Sequence, residues 1–356
     1  MSSLQSLRPP PSAPPPPRVS VVVPLYNCLP LTQAMLASLH ATLPPDLPCE
    51  IILIDDGSTD GTREWLADLT RADRTADSPA PPLPQHQVSP ASGTVAHRVL
   101  LNDGNLGFAA SNNRAAAVAR GEILVLLNND LVLLPRWLEP MLAAHAHLGP
   151  RAGLIGNVQL DAGTGVVDHA GLDFLPTAKP VHLRTLPPLW SRLLRPFRPV
   201  PAVTAACVLL DRALWQQLGG FDEAFVNGGE DVDLCYRAHA VGRINAVALR
   251  SVVHHHVSSA PGRKRNDEQN SYRLVSRWHR EFSAGALRPW CRDYLSRTFV
   301  EPRDREYRVV LSAAAYLLHL RPTPPPAATA SVALGLAREF SRWETMFPDG
   351  LRPSKP

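Results

Sequence analysis

Four short stretches gather the side chains able to do chemistry. In "IILIDDGSTDGT" (51–62) four apolar residues run straight into Asp55 and Asp56, followed by Gly57, Ser58 and Thr59. Adjacent carboxylates repel each other and resist burial, so they need N–H or O–H donors close by. Those donors come either from a local turn and helix cap, for which Asp, Gly, Ser and Thr are ordinary residues, or from a ligand. "LLNNDL" (126–131) ends a second apolar run in Asn128, Asn129 and Asp130. "GGED" (228–231) sets Glu230 and Asp231 at the start of a helical pattern, where acids suit the orphan N–H groups and the helix dipole. His254, His255 and His256 end an apolar run, and alternation along a strand puts His254 and His256 on one face and His255 on the other.

The elements that must position these groups follow from periodicity. "VSVVVP" (19–24) reads as a strand buried on both faces of a parallel sheet. Leu31, Met35, Leu36, Leu39 and Leu43 recur at helical spacing until Pro44 and Pro45. A strand over 50–54, a helix over about 59–69, the strand "HRVLLN", a helix over 112–120 and the strand "EILVLL" (122–127) continue the alternation. This is the pattern of a doubly wound α/β domain, in which ligands bind beyond the carboxyl ends of the strands. Three polar clusters fall at such ends: Tyr26-Asn27, Asp55-Asp56-Gly57 and Asn128-Asn129-Asp130. The second half is less regular, with strands expected near 152–160, 203–211 and 244–256 and a helix carrying Leu234, Cys235, Ala238 and Val241.

Domain organisation follows composition. Residues 1–18 form a proline-rich leader expected to be disordered, and 19–264 an α/β domain in two halves (19–130 and 131–264). Polar, proline-rich residues 71–96 read as a loop insertion, and 265–356 as a mostly helical extension. The net charge of +4 comes from dispersed arginines, with three lysines among 36 basic residues, which argues against nucleic acid as a partner. Five widely spaced cysteines with no Cys-x-x-Cys pair point to neither a disulfide framework nor a zinc site. No secretory signal or run of about 18 apolar residues is present, so a cytoplasmic location is expected, with peripheral attachment at the inner membrane face compatible.

The order "VSVVVPLYN", "IILIDDGSTDGT", "NLGFAASNN", "ILVLLNNDL", "GGFDEAF", "GGEDVDLCYRA" and "VVHHH" resembles the successive motifs of family 2 glycosyltransferases with the GT-A fold, rhamnosyltransferases among them. The resemblance covers roughly residues 19–260. It implies an inverting transfer of a sugar from a nucleoside-diphosphate donor to a hydroxyl on a glycan or lipid-linked glycan, in cell-envelope polysaccharide synthesis. Donor contacts would come from Pro24, Tyr26, Asn27, Asp55, Asp56, Gly107, Asn112 and Asn129, with Tyr26 stacking on the base and Asp56 accepting from it. "LLNNDL" takes the place of the Asp-x-Asp motif, so Asp130 would hold a divalent cation, Mn2+ or Mg2+. Asn128 departs from that motif and leaves Asp130 as its anionic ligand. Asp231 would be the general base, oriented by Glu230, and His254, with His256 as rival, a further metal ligand. The resemblance makes 19–130 the nucleotide-binding half and 131–264 the acceptor half, where Asp168 and His169 lie and a structural turn explains them as well.

Two other readings fit parts of the sequence. A nucleotidyltransferase shares the architecture, but "PLYNCLP" lacks the basic, glycine-rich loop that would hold a triphosphate. A non-catalytic nucleotide-sugar or carbohydrate binding protein of the same fold is brought to mind by Asn128.

Overall fold

A computed structural model describes residues 16–72, 86–88, 95–175, 180–256, 266–300 and 306–348. Nearly all of the expected leader, and most of the expected insertion, lie outside them. The first half runs β1 (Val19–Leu25), α1 (Leu29–Thr42), β2 (Cys49–Asp55), α2 (Thr62–Ala72), β3 (His86–Val88), β4 (Val95–Leu101), α3 (Phe108–Ala117) and β5 (Ile123–Leu127). Every residue of β1, β2 and β5 is buried, as required of strands covered by helices on both faces. β5, β1, β2 and β4 lie side by side in parallel. Pro24 fits a central strand because β5 pairs only with Val19 to Val22, so no ladder bond is lost on that side. Within the expected 71–96 loop, β3 adds a short antiparallel edge to β4, a strand too brief for its periodicity to stand out.

The second half runs β6 (Leu131–Leu133), α4 (Glu139–Leu148), β7 (Ala152–Asp161), β8 (Val167–His169), β9 (Leu172–Phe174), β10 (Pro180–His182), α5 (Leu189–Leu194), β11 (Phe197–Pro199) and β12 (Cys207–Asp211). It continues through α6 (Arg212–Leu218), α7 (Glu230–Ala240) and β13 (Ile244–His255). β12 inserts antiparallel between β5 and β7, giving the strand order β11-β13-β7-β12-β5-β1-β2-β4-β3, with β6 on β13 and β8 on β7. The sheet is therefore mixed, with helices on both faces.

Three helices close the described chain: α8 (Asp267–Val300), α9 (Tyr307–Leu317) and α10 (Pro326–Met346). α8 and α10 share the sheet's core, since Phe282, Ala286, Val332 and Trp343 join the apolar cluster containing Trp215, Phe221 and Tyr236, while α9 packs Ala313 into a smaller cluster with Cys291 and Ala328. The opposite face of the sheet packs Met35, Leu39, Trp137 and Met141 from α1, α4 and the segment before α4. Asp233, fully buried on α7, fastens α8 to the domain. It accepts hydrogen bonds from Arg237 Nε (2.7 Å), Arg277 Nη1 (2.8 Å) and Trp278 Nε1 (2.9 Å).

Candidate active site

The two carboxylates at the end of β2 meet different donors. Asp55 Oδ2 takes the Gly57 N–H (3.2 Å) and Arg63 Nε (2.7 Å), and its Oδ1 takes the Ser58 N–H (3.2 Å). It is thus a turn and cap residue with its own counter-ion. Asp56 Oδ1 accepts from Asn102 Nδ2 (2.8 Å) and the Leu106 N–H (2.8 Å), and Oδ2 accepts from the Gly107 N–H (2.9 Å). A carboxylate offers about four lone-pair directions, so one remains on Oδ2. Asp56 therefore latches the 102–107 loop beside β2. Gly57 permits this closeness: its φ is +81°, and a Cβ there would stand 2.7 Å from the Gly104 carbonyl carbon.

The other candidate residues of the first half line the same strand ends. Asn27, left-handed at φ 55°, accepts the Thr59 N–H on Oδ1 (2.8 Å), and its own N–H donates to Ser58 Oγ (2.8 Å), which ties β1 to the turn after β2. Tyr26 beside it is half exposed. Asn129 Nδ2 donates to Thr32 Oγ1 (2.9 Å) and to the Asn27 carbonyl (3.3 Å). Gly107, at φ +92°, precedes α3, and Asn112 one turn later donates to the Phe108 carbonyl (2.9 Å) while its buried Oδ1 has no partner.

Asp130 follows β5 and meets the end of β13. The antiparallel β6–β13 pair sets His255 opposite Leu131, and the His256 N–H donates to the Asp130 carbonyl (2.9 Å). Strand alternation then turns His255 toward the Asp130 side chain. Its Nε2 lies 3.3 Å from Asp130 Oδ1. No hydrogen bond is made to that buried oxygen, and His255 Nδ1 and the nearby Asn128 Oδ1 are buried without partners. Two ligand atoms each about 2.1 Å from an octahedral ion and at right angles stand about 3 Å apart, so this pair has the spacing of metal ligands. Among the described residues no three acidic, histidine or cysteine side chains gather to hold an ion. An ion here would complete its shell with phosphate oxygens and water, as Mg2+ and Mn2+ commonly do.

Asp231 lies at the first turn of α7, half-buried. Its Oδ1 accepts the Val232 N–H (2.8 Å), its Oδ2 accepts the Ala205 N–H (3.2 Å), and each oxygen keeps a free direction. Glu230, buried behind it, accepts the Gly228 N–H (2.8 Å). The segment before β12 joins this carboxylate to the Asp130 region: Ala205 donates to Asp231, and the carbonyl of Ala206 accepts the Asn128 N–H (2.8 Å). One residue earlier, the Thr204 N–H donates to Nε2 of the fully buried His169 (3.4 Å). Burial first, then the charges of His182, His255 and Arg198, push His169 well below the usual imidazole range, which suits an acceptor nitrogen.

The structure thus brings Asp130, Asp231 and Glu230 around the 204–206 segment, and Tyr26, Asn27, Asp55, Asp56, Gly107, Asn112 and Asn129 around the ends of β1 and β2. The histidine facing Asp130 is His255. His254, opposite Val132, alternates to the other side of the strand, and His256 lies just beyond the end of β13. The roles of Asn102, Arg63 and the 204–206 backbone escape sequence reading, since each depends on contacts between residues distant in the chain.

The family model for Glycosyl transferase family 2 matches residues 20–77 and 94–192. The chain is 34% identical over 200 residues to the O-antigen biosynthesis protein RfbC of Myxococcus xanthus, covering 53% of this chain and 14% of that protein. It is 29% identical over 266 residues to N-acetylglucosaminyl-diphospho-decaprenol L-rhamnosyltransferase of Mycobacterium tuberculosis, covering 68% of this chain and 77% of that protein. The chain spans only 26% and 14% of the length of two of the curated relatives it matches. Among solved structures, GalNAc-T7 with UDP, GalNAc and Mn2+ superposes with a TM-score of 0.55 at 18% identity, over 79% of this chain and 52% of that one. The architecture is accordingly the GT-A fold, a largely parallel central sheet flanked by helices with a helical C-terminal region. By motif order and family match, residues 20–192 of this chain resemble glycosyl transferase family 2, and the fold agrees with that likeness.

Proposed function

We propose that the protein transfers a sugar, with inversion, from a nucleoside-diphosphate donor to a hydroxyl of a glycan or lipid-linked glycan during envelope polysaccharide synthesis. The observation that carries this reading is the double tether of the 204–206 segment, which holds Asp231 through Ala205 and the Asn128–Asp130 turn through Ala206. One short segment thereby links a carboxylate with free lone pairs to the turn that carries one member of a carboxylate–imidazole pair without a hydrogen bond between them. Those are the two needs of the reaction: a base for the acceptor and charge compensation for the leaving group.

In this reading Asp231 takes the proton of the acceptor hydroxyl as its oxygen forms a bond to the anomeric carbon, while the bond from that carbon to the phosphate oxygen breaks on the opposite face. Glu230 braces the turn that carries Asp231 through the Gly228 N–H. Asp130 and His255 are the residues that would hold a divalent cation, which when bound offsets the charge building on the diphosphate. Tyr26 offers its exposed ring to the base, Asn27 and Asn129 fix the strand ends around it, and Asp56 holds the 105–107 loop with one acceptor direction left for a donor N–H. The Mn2+ and nucleotide in the GalNAc-T7 structure, and the rhamnosyl transfer in the name of the Mycobacterium tuberculosis relative, support this donor and acceptor chemistry.

The test is release of nucleoside diphosphate from a panel of nucleotide sugars offered with lipid-linked glycan acceptors. Turnover in the wild type, lost in Asp231→Asn with donor binding retained, supports the reading. Donor binding with no turnover in either protein supports a binding protein instead.

A further inference from the structure

Two surface segments combine large exposed apolar side chains with an unbroken absence of acids. No Asp or Glu occurs between Asp173 and Asp211, a stretch containing Lys179, Arg184, Arg192, Arg195 and Arg198. At its centre α5 exposes Leu189, Trp190 (67%) and Leu194 (75%), and Arg195 beside them is exposed. Likewise no acid occurs between Glu306 and Glu339, and there Tyr307, Leu311 (70%), Leu318 and Leu320 are exposed along and just beyond α9, with Arg308 and Arg321 in the same stretch. Isolated exposed leucines need no explanation, but runs of them interspersed with arginines and free of acids do.

The two segments are joined through α8. Arg288 Nη2 donates to the carbonyl of Leu317 at the end of α9 (2.7 Å). Four residues on, one helical turn away, Arg292 Nη1 lies 3.6 Å from Asp173 Oδ2 on β9. β9 pairs with β10, and the chain leaving β10 leads directly into α5. The same hairpin reaches back toward Asp231: His182 packs edge-on against His169 with ring centroids 4.8 Å apart, and His169 accepts from Thr204, the neighbour of Ala205.

We propose that the α5 segment and the outer side of α9 dock the protein on the surface of an anionic lipid bilayer. Tryptophan and leucine suit the boundary between headgroups and acyl chains, and the arginines suit acidic headgroups. No described helix is long and apolar enough to cross a membrane, so contact is at the surface. A second copy of the chain is a poorer occupant, because a two-fold contact would set each acid-free patch against its own arginines. The proposal rests on the reading of the acceptor as a lipid-linked glycan, and it puts the docking side next to the hairpin that touches His169.

The experiment is co-sedimentation of the full chain with vesicles of phosphatidylcholine alone or of equal parts phosphatidylcholine and phosphatidylglycerol, at low and high salt. Binding is expected on the anionic vesicles only, weakened by salt. It should fall about fivefold for each of Arg195→Ala and Arg308→Ala, and further in Trp190→Ala and Leu311→Ser. Stabilisation by nucleoside diphosphate, measured on the same preparations, should be unchanged in these variants and reports that they are folded. No binding to anionic vesicles, equal binding to both kinds, or variants that bind like wild type would overturn the proposal. A concentration-dependent dimer that Trp190→Ala abolishes would overturn it in favour of self-association. Vesicle binding without sugar transfer would instead count against the glycosyltransfer reading, so the two failures are distinct.

Discussion

His255 Nε2 stands 3.3 Å from Asp130 Oδ1 across the β6–β13 pair, with no hydrogen bond to that oxygen and no partner on His255 Nδ1. Two buried groups left this way are poised for a third party. His255→Ala should weaken Mn2+-dependent binding of the nucleoside diphosphate by about tenfold or more, equivalent to about 1.4 kcal/mol. His254→Ala, on the other side of the strand, should leave it unchanged. Calorimetric titration of both variants with and without Mn2+ checks this, and equal losses in the two would remove His255 from the ion site.

Asp231→Asn keeps the side-chain shape and can still accept the Ala205 N–H, but cannot take a proton. Turnover should drop by about 10²–10⁴-fold with the donor dissociation constant within about twofold of wild type. Single-turnover kinetics at saturating donor separate the two quantities. A parallel loss of donor affinity would make Asp231 a structural cap of α7 only.

Asp56 collects three donors from the 102–107 loop. Asp56→Ala strands the N–H groups of Leu106 and Gly107 and leaves Asn102 Nδ2 with Ser111 Oγ as its remaining acceptor, and should cost about 1–3 kcal/mol of stability. Urea unfolding measures that cost. Donor affinity should fall together with it, because the loop that loses its latch borders the proposed donor site.

Asp233 is fully buried with Arg237, Arg277 and Trp278 donating to it. Asp233→Ala should destabilise the protein by about 3 kcal/mol, since it leaves the guanidinium groups without their buried acceptor. The loss should show as a lower thermal midpoint, with Arg277→Ala milder because that side chain is part-exposed.

Burial, and then the neighbouring His40, hold the His97 imidazole down at about 4. His40 Nε2 and His97 Nε2 are 2.8 Å apart, a contact that requires one nitrogen to be a neutral acceptor. Above pH 6.5 His97 is neutral in both folded and unfolded chains and adds no pH dependence. Between about 6.5 and 4 only the unfolded chain takes the proton, so stability falls as pH falls, by up to about 3 kcal/mol across the window. Comparing urea midpoints at pH 7 and pH 5 for wild type and His97→Gln should give a smaller drop in the variant.

What the sequence discloses is set by how local each feature is. β1, β2 and β5 were legible because strands buried on both faces are continuous apolar runs, and the polar clusters after them mark strand ends wherever such runs stop. α7 was legible from its stripe and the acids at its first turn. The antiparallel insertion of β12 between β5 and β7 was not, because an apolar run carries no direction. His255 is hidden for a related reason: alternation divides three histidines into two faces, and only the register with β6 tells which face meets Asp130. Asp233 reads as one more acid of "GGEDVDL", while its clamp on α8 spans 44 and 45 residues of sequence to Arg277 and Trp278.

The central claim is that Asp130 and His255 hold an ion that binds a nucleoside diphosphate beside Asp231. The most direct measurement is the thermal midpoint of the wild type and of Asp130→Asn with UDP, GDP, dTDP or CMP, each with Mn2+, Mg2+ or chelator. At about 100 times its dissociation constant, one nucleotide should stabilise the wild type by roughly 2.7 kcal/mol in the presence of metal. It should do so far less with chelator or in Asp130→Asn. Stabilisation that ignores both the chelator and the substitution, or no stabilisation by any nucleotide, would contradict the claim.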